Sequence, residues 1–201
     1  RQRTDVAEKN SVIIDVDIDK KEKMKVHKIT IVGNNNLPLK KIKGTLFTKG
    51  ALSKTNEAGK LYSFFKAKKF TPERYKEDKQ NLIEKYNEYG FRDATILEDS
   101  IVQYDDKHVD VYIKVDEGQK YYIRNINWVG NTVYNTDQLA AVLGMRKGDV
   151  YNQKLMSKRL QEDEDAVGNM YWNNGYLFYT LQPTETNVIG DSVDIEMRIQ
   201  E

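Results

Sequence analysis

The residues of this chain that could carry out chemistry are an acidic run and two histidines. Residues 162–165 read Glu-Asp-Glu-Asp, and neighbouring carboxylates are the groups that acid/base catalysis uses. On a helix, four consecutive side chains point in different directions around the axis, so they cannot converge on one atom. His27 and His108 have no ligand partner near them in sequence. The pattern predicts a solvated acidic face and no catalytic, cofactor or metal site.

Composition excludes several other classes of function. The 201 residues include no cysteine, which rules out disulfides and thiolate zinc sites. The net charge is +1, so no general field attracts nucleic acid or an anionic membrane. No glycine-rich phosphate loop follows a strand, because Gly33 and Asn34 form a turn signal instead. We therefore expect a globular protein that is not an enzyme.

A lysine-rich stretch, residues 49–69, allows two interpretations. Residues 40–69 contain nine lysines and one glutamate. The stretch is either a solvated loop whose aromatic residues tuck against the domain, or a docking surface for a partner protein. The docking surface would consist of Tyr62, Phe64, Phe65, Lys66 and Lys68. No nucleic-acid recognition motif accompanies the lysines.

These residues are positioned by a repeated unit. The segment 25–34, KVHKITIVGN, returns as 122–131, YIRNINWVGN, at a constant shift of 97 residues. The same shift relates the alternating apolar residues that precede each copy, namely Val12, Ile14, Val16 and Ile18 before the first and Val109, Val111, Ile113 and Val115 before the second. Such a repeat sets the number of domains.

In the first copy, alternation predicts strands over Val26–Val32, Phe91–Tyr104 and Val109–Val115. A helix is predicted from Pro38 to about Leu46, with Leu39 and Ile42 on its apolar face. Thr71 is the predicted N-cap of a second helix that has Pro72 in its first turn and ends at Gly90. Its apolar face carries Tyr75, Lys79, Leu82, Ile83 and Tyr86.

The second copy follows the same order. We predict a strand over Ile123–Val129, a helix capped by Thr136, and a longer helix over Gln153–Trp172 that ends at Gly175. A hairpin of Tyr176–Gln182 and Val193–Ile199 closes the copy, with residues 187–191 as its loop.

Each copy therefore has the order β-α-α-β-β. This order predicts an α+β fold of two tandem domains, each a three-stranded mixed sheet with two helices on one face. We predict one domain at 23–117, which carries the insertion 49–69, and another at 118–201. Residues 1–22 are predicted to hold the last strand of a preceding domain, so that the chain is a fragment of a longer protein.

The signature of these copies resembles that of the POTRA family. It consists of the turn after the first strand, the end of the second helix and the Val-Asp-Val or Val-Asp-Ile of the last strand. The residues that carry it are Gly33, Asn34, Tyr86, Gly90, Gly130, Asn131, Tyr171 and Gly175. Two copies in tandem, covering about residues 11–201, are more specific than one.

The arrangement is similar to the tandem array of BamA-type outer-membrane protein assembly factors, and the insertion resembles that of the third of five domains. The resemblance implies a periplasmic portion of an outer-membrane protein. It implies neighbouring POTRA domains and a C-terminal membrane barrel in the same parent chain. It also implies two classes of partner, unfolded outer-membrane proteins and accessory assembly lipoproteins.

The mode of binding that the resemblance implies is strand addition to the first strand of each hairpin, which lies at the sheet edge. The candidate edge residues are Arg92, Ala94, Ile96, Leu97 and Ile101 in the first copy and Leu177, Tyr179 and Leu181 in the second. A β-bulge near Glu98 would reconcile the two apolar faces of the first edge. Its charges equally suit an edge protected from pairing. Pro183 is expected to stop pairing beyond Gln182.

Other functions remain as alternatives. POTRA domains also serve two-partner secretion and other translocation transporters, and a tandem pair could act as a passive spacer. A carboxylate-dependent hydrolase would require convergent acidic groups in a pocket. The number of domains in the parent protein and the partners that co-purify with it would separate these alternatives.

Overall fold

The computed structural model of the chain describes residues 24–43, 52 and 70–201. The predicted strand within residues 1–22, the end of the first helix at Leu46 and the stretch 49–69 lie outside the described residues. The N-terminal unit contains β1 (Lys25–Val32), α1 (Leu39–Lys43), α2 (Pro72–Glu88), β2 (Thr95–Asp105) and β3 (His108–Asp116). The C-terminal unit contains β4 (Tyr122–Val129), α3 (Thr136–Leu143), α4 (Gln153–Ser157), a π-helix (Lys158–Glu162), α5 (Val167–Trp172), β5 (Thr180–Ile189) and β6 (Ser192–Gln200).

Both units are built on a three-stranded mixed sheet of the same topology. The strand order is β1-β3-β2 in one and β4-β6-β5 in the other. The central strand runs parallel to the first strand and antiparallel to its hairpin partner. The predicted α+β fold is confirmed, and β2 and β5 each lie at a sheet edge.

The central strands form the floor of each core. Residues on one face of β3 are buried, as predicted from its alternation, and β6 repeats the pattern. The buried residues are Val109, Val111, Ile113 and Val115 in β3 and Val193, Ile195, Met197 and Ile199 in β6. One helical layer covers this face because the opposite face carries the polar residues.

Helix α2 begins and ends where its sequence predicts. The Thr71 side chain accepts a hydrogen bond from the Arg74 amide, Pro72 is the first residue, and Gly90 has a φ of +90° just beyond the end. The buried face carries Tyr75, Leu82 and Tyr86, and also Asp78, which the apolar pattern does not reveal. Lys79 and Ile83 are only partly buried.

The first helix of each unit departs from prediction. Helix α1 begins at Leu39, one residue after Pro38, and Leu39 is exposed whereas Ile42 is buried. Helix α3 is capped by Asn135 and not by Thr136. The Asn135 side chain accepts from the Gln138 amide, and the Gln138 side chain accepts from the Asn135 amide in return. This reciprocal pair favours Asn135 over the neighbouring threonine.

The predicted helix over Gln153–Trp172 is wrong, because the structure breaks it into three pieces. Helix α4 passes into the π-helix, and residues 163–166 separate that from α5. From N-cap to buried tyrosine there are 19 positions here, Asn152 to Tyr171, against 15 in the N-terminal unit, Thr71 to Tyr86. The four extra residues cannot fit a regular helix that keeps both ends in place, so the helix widens and breaks.

The edge strands also differ from prediction. Strand β2 begins at Thr95, not at Phe91, and its register shifts between Ile96 and Glu98, which confirms the predicted bulge. Strand β5 begins at Thr180, not at Tyr176, and continues to Ile189, so the hairpin turn is only Gly190-Asp191. Pro183 pairs with Met197 and does not end the strand. An edge strand tolerates proline because its outer side needs no amide donor.

Candidate functional site

The repeated glycine makes the same close contact in both units. Gly33 and Gly130 have φ values of +85° and +86°. A Cβ at Gly33 would lie 1.9 Å from the Val115 carbonyl oxygen, and one at Gly130 would lie 2.1 Å from that of Ile199. Only glycine allows this conformation and this approach of the first turn to the last strand. The signature glycine is therefore a requirement of the fold.

A glutamate that follows the last strand closes the turn in each unit, and we call this pair, Glu117 and Glu201, the carboxylate latch. The Glu117 carboxylate accepts hydrogen bonds from the amides of Asn36, at 2.8 Å, and Leu37, at 3.0 Å. Glu201 accepts from the amides of Thr132, at 2.8 Å, and Val133, at 3.0 Å. Glu117 is buried, whereas Glu201 is exposed.

The remaining signature residues support the same turn. The Asn34 side chain donates to the Leu37 carbonyl at 3.3 Å, and Asn131 donates to the Tyr134 carbonyl at 2.9 Å. Each of these side-chain bonds joins residues three positions apart and so closes a turn of four residues. The signature asparagines therefore have a structural role equivalent to that of the glycines.

The two signature tyrosines lie at the centres of the cores. The Tyr171 hydroxyl donates to the Glu201 carboxylate at 2.8 Å. The Tyr86 hydroxyl is buried on the Glu117 side of its core and has no hydrogen-bond acceptor among the described residues. Burial, reinforced by the nearby carboxylate, raises the pKa of both tyrosines. Both stay neutral at physiological pH, as suits core residues.

The candidate edge residues of the N-terminal unit do not form one surface. Arg92 and Ala94 precede β2, and Ala94 is buried. Ile96 is partly buried, while Leu97 and Ile101 are exposed. Leu97 lies within the bulge, between the paired residues Ile96 and Glu98. The exposed candidates on β2 are therefore Leu97 and Ile101.

An ion pair crosses the space between α2 and this edge. The Lys79 ammonium lies 3.0 Å from the Asp99 carboxylate and 5.1 Å from the centre of the Tyr75 ring. The lysine thereby bridges the helix and the β2 edge. One of the β2 charges that suggest a protected edge, the Asp99 carboxylate, is therefore paired with a lysine of α2.

In the C-terminal unit, the predicted edge segment Leu177–Gln182 is only partly a strand. Leu177 and Tyr179 precede β5, and Leu181 lies within it with its side chain in the core. Tyr179 packs against Tyr171, with ring centres 5.2 Å apart. Thr180 at the start of β5 is exposed, and the continuous run of accessible residues begins after Leu181, at Gln182.

Next to this accessible part lies an open groove of about 520 Å³ between β5 and the broken helix. Its floor is formed by apolar side chains, Met156, Leu160 and Ile195, and its rim by Gln153, Ser157, Gln161 and the β5 segment Pro183–Glu185. The helix break, which leaves Leu160 in the π-helix, determines the shape of the groove. Sequence reasoning missed the groove, although a helix four residues longer than its counterpart was a signal of it.

One end of the groove meets the contact between the two units. Glu185 accepts hydrogen bonds from the Tyr151 hydroxyl, at 2.7 Å, and from the Gln153 side chain, at 3.3 Å. The Arg92 guanidinium of the N-terminal unit reaches the same carboxylate at 2.5 Å. Arg92, proposed from sequence as an edge residue, therefore joins the two units instead.

Further polar bonds complete this contact, which we call the junction. The Tyr121 hydroxyl donates to Asp93 at 2.6 Å, which lowers the pKa of the Asp93 carboxyl. The Lys154 ammonium donates to Glu88 at 2.8 Å. Burial raises the pKa of Glu88, but hydrogen bonds from Lys154 and Lys85 outweigh that effect and lower it overall. The junction is thus charged and specific.

Some of the sequence predictions fall outside these surfaces. The lysine-rich docking residues Tyr62, Phe64, Phe65, Lys66 and Lys68 lie outside the described residues. The predicted divergence of the acidic run is wrong for two of its residues, because the chain leaves the π-helix after Glu162 and the carboxylates of Asp163 and Asp165 both bind the Arg159 guanidinium, at 3.3 and 2.6 Å. Across the described ranges, no three His, Asp or Glu side chains are placed to hold a metal ion. Among the described helices, none is long and apolar enough to cross a membrane.

A comparison with known protein families finds matches over most of the chain. The model of the POTRA family, described as a surface antigen variable number repeat, matches residues 24–118 and again residues 121–201. The chain is 25% identical over 130 residues to the outer membrane protein assembly factor BamA of Neorickettsia risticii, which covers 62% of this chain and 18% of that protein. It is 27% identical over 96 residues to BamA of Neisseria meningitidis, covering 45% and 12%.

Among solved structures, the fold is similar to a crystal structure of Haemophilus influenzae BamA POTRA3-5. The TM-score is 0.58 at 16% identity, over 88% of this chain and 66% of that one. At this identity, the similarity supports a shared fold and nothing beyond it. The chain spans less than a fifth of the length of either curated relative.

Proposed function

This chain belongs to the POTRA family, and on that premise we propose that it is a substrate-receiving and scaffolding module of an outer-membrane protein assembly factor. The names of the BamA relatives support this role. The module would form part of a longer protein with neighbouring POTRA domains and a membrane barrel, and would lie in the periplasm. Its substrates would be unfolded outer-membrane proteins.

The observation that carries the proposal is the open groove beside β5. An edge strand presents backbone donors and acceptors on its outer side, and an extended chain can pair with them. Beside Gln182–Glu185 there is room for such a chain, because the break in the helix leaves the groove open. The pairing would run past Pro183, which contributes its carbonyl but no amide donor.

The chemistry of the groove suits many different barrel strands. Side chains of an extended segment alternate between two faces, so every second one would point toward the apolar floor of Met156 and Leu160. Its backbone would bond to β5 without regard to sequence. The polar rim of Gln153, Ser157 and Gln161 offers hydrogen bonds to a range of side chains. Binding of this kind is broad in specificity.

We assign the other candidate surfaces lesser roles. The β2 edge, bridged by Lys79, would accept a strand less readily than β5. Accessory assembly lipoproteins would dock on a different part of the module, and the lysine-rich stretch 49–69 stays the candidate for that contact. These assignments leave β5 as the first site to test.

The test is an NMR titration of the chain with an unfolded peptide that copies one alternating barrel strand. We expect amide shifts along Gln182–Glu185 and along the groove residues of α4 and the π-helix. Replacing Ser157, an exposed groove residue, with tryptophan should fill the groove and abolish these shifts. Thr136→Trp, at an exposed position on α3 away from the groove, is the matched control and should bind the peptide normally.

Two outcomes would contradict strand addition at β5. Shifts confined to residues 49–69 would place peptide binding on the lysine-rich stretch instead. An absence of shifts at saturating peptide, with both variants folded, would favour a passive spacer.

A further inference from the structure

The groove beside β5 has one charged side chain among the described residues that line it, that of Glu185. The other lining side chains are apolar or polar without charge. Glu185 pairs with Ile195 across the sheet, and Ile195 is buried in the core, so both side chains lie on the helix-facing side of the sheet. The Glu185 carboxylate is therefore on the side of β5 where the groove lies.

A carboxylate at this position opposes the binding of an apolar strand. The residue of an added strand opposite Glu185 would have its side chain on the same face, with the two Cβ atoms about 5 Å apart. A leucine there would take water away from the carboxylate, and a charge that loses its water without a partner costs free energy. The Tyr151 hydroxyl and the Gln153 side chain donate hydrogen bonds to Glu185. Neither of them supplies a positive charge.

The positive charge that faces Glu185 comes from the other unit. The Arg92 guanidinium lies 2.5 Å from the Glu185 carboxylate, and the two side chains are only 24% and 29% exposed. Arg92 is itself oriented by the Asp93 carboxylate, at 2.9 Å, and by the Tyr121 ring, whose centre lies 4.8 Å from it. Within the part of the chain that the structure describes, no cation of the C-terminal unit bonds to Glu185.

The N-terminal unit pairs a similar edge carboxylate from within. Asp99 pairs across the sheet with the buried Ile113, so it also lies on the helix-facing side of its edge strand. Its partner is Lys79, on the helix of the same unit. In the C-terminal unit, Lys154 of α4 donates instead to Glu88 of the other unit. Only the carboxylate of β5 thus depends on a cation from outside its own unit.

We infer that Arg92 is a specificity-determining residue of the groove. It neutralises Glu185, so that the C-terminal unit binds apolar strands tightly only while the N-terminal unit is docked against it. This role rests on the proposed function, because it concerns a strand bound at β5. Strand binding and docking of the units then strengthen each other by the same factor. Without Arg92, the groove would present a carboxylate that favours a lysine of the strand over a leucine.

The experiment measures the affinity of two alternating barrel-strand peptides by isothermal titration calorimetry. One peptide has leucine at every inward-facing position, and the other has lysine in place of one of these leucines. An added strand can shift its register by two residues without changing faces, so the lysine can reach Glu185. Arg92→Gln should weaken binding of the leucine peptide about tenfold and reverse the preference between the peptides. Arg198→Gln removes the same charge outside the groove and should preserve the preference for leucine.

A double variant separates neutralisation of Glu185 from the arrangement of the units. Arg92→Gln combined with Glu185→Gln still lacks the charged bond between the units, but it leaves no charge in the groove to bury. We expect this variant to recover the affinity of the unaltered chain for the leucine peptide. Urea unfolding verifies that each variant is folded.

Two results would overturn the role of Arg92 and leave the proposed function in place. Equal affinity of Arg92→Gln and the unaltered chain for the leucine peptide would mean that Arg92 does not serve the groove. Weak binding by the double variant would mean that Arg92 acts through the arrangement of the units and not through the Glu185 charge. Failure of the unaltered chain to bind either peptide would contradict the proposed function itself, and the role of Arg92 with it.

Discussion

The two units share the residues that build their fold and differ where each sheet meets its helix. Each has the glycine turn, the carboxylate latch and the buried tyrosine at equivalent positions. In the N-terminal unit an unbroken α2 lies beside β2, with Lys79 bonded to Asp99 across the space. In the C-terminal unit the four additional residues break the helix and leave a groove beside β5. Two units of the same fold can thus differ in the surroundings of their edge strands, and an insertion of four residues is sufficient to produce the difference.

The largest expected effect tests what the units share. Gly33→Ala and Gly130→Ala should each destabilise their own unit by about 3 kcal/mol, because the new Cβ meets a backbone carbonyl at a positive φ. Urea unfolding followed by NMR resolves the two units. Gly190→Ala, at a positive φ with open space around it, should cost only about 1 kcal/mol. Equal costs at all three positions would show that close packing of the turn is unimportant.

Loss of the carboxylate latch should lower the unfolding free energy of the two units by different amounts. Glu117→Ala leaves two amides without an acceptor in a buried place, at a cost of about 3 kcal/mol. Glu201→Ala should cost less, about 2 kcal/mol, because water can reach the amides of Thr132 and Val133 and only the buried Tyr171 hydroxyl loses its acceptor without replacement. Unfolding by urea measures both values, with Glu→Gln at each position as the control for shape. A larger cost for Glu201→Ala than for Glu117→Ala would contradict the view that the buried Glu117 stabilises its unit more.

Removing a junction charge should loosen the contact between the units without unfolding either one. Arg92→Gln deletes the bond to Glu185 and is expected to weaken the junction by about 1 kcal/mol. The tumbling times of the two units from nitrogen-15 relaxation should then differ more than in the unaltered chain, although the bonds of Tyr121 and Lys154 remain. Arg198→Gln, whose guanidinium pairs with Glu196 within the C-terminal unit, is the control and should leave the tumbling unchanged. Unaltered relaxation in Arg92→Gln would mean that other contacts hold the junction.

Acid should weaken the same junction. The pKa values of Glu88 and Asp93 are lowered from their ordinary 4.5 and 3.8. A group with a lowered pKa stabilises the folded form above its ordinary value, and this stabilisation is lost as the pH falls through the lowered one. The tumbling times should therefore separate as the pH falls below about 4. Glu88→Gln should remove part of this pH dependence, and a junction that instead loosens toward alkaline pH would contradict the assignment.

The smallest effect concerns the ion pair beside β2. Lys79→Met should change stability by only about 0.5 kcal/mol, since a partly exposed ion pair contributes little. It should nevertheless free the β2 edge, so that the barrel-strand peptide shifts amides around Asp99. Lys114→Met is the matched control. Lys114 also pairs with a carboxylate of β2, that of Glu98, but it lies on the neighbouring strand β3 and not on the helix. Identical titrations of the two variants would mean that Lys79 does not guard the edge.

Local signals predicted much of this fold. The alternation in β3 and β6, the Thr71 cap followed by Pro72, and the bulge near Glu98 all depend on residues close in sequence, so pattern alone located them. Asn135 and Thr136 are both good caps, and only the reciprocal bond with Gln138 decides between them. The boundaries of β2 and β5 shifted because residues after Gly90 and Gly175 form a turn before the strand begins.

The groove and the junction could not be predicted in this way. Residues 158–166 include good helix formers, and the break arises because both ends of the helix are held by packing. The junction joins Arg92 to Glu185, 93 positions away, and no local pattern records such a pair. The predicted strand Tyr176–Gln182 also began too early, because β5 begins at Thr180 and continues past Pro183 to Ile189.

The carboxylate latch has a consequence for the order in which contacts form as the protein folds. The Glu117 carboxylate bonds to the Asn36 amide, 81 positions earlier, and Glu201 bonds to the Thr132 amide, 69 positions earlier. Contacts between residues so far apart in sequence form late, because closing the long loop between them first costs chain entropy. The first turn of each unit therefore gains its latch only when the whole unit is present. A cut within either unit would separate that unit's turn from its latch, whereas a cut between the units would leave both latches intact.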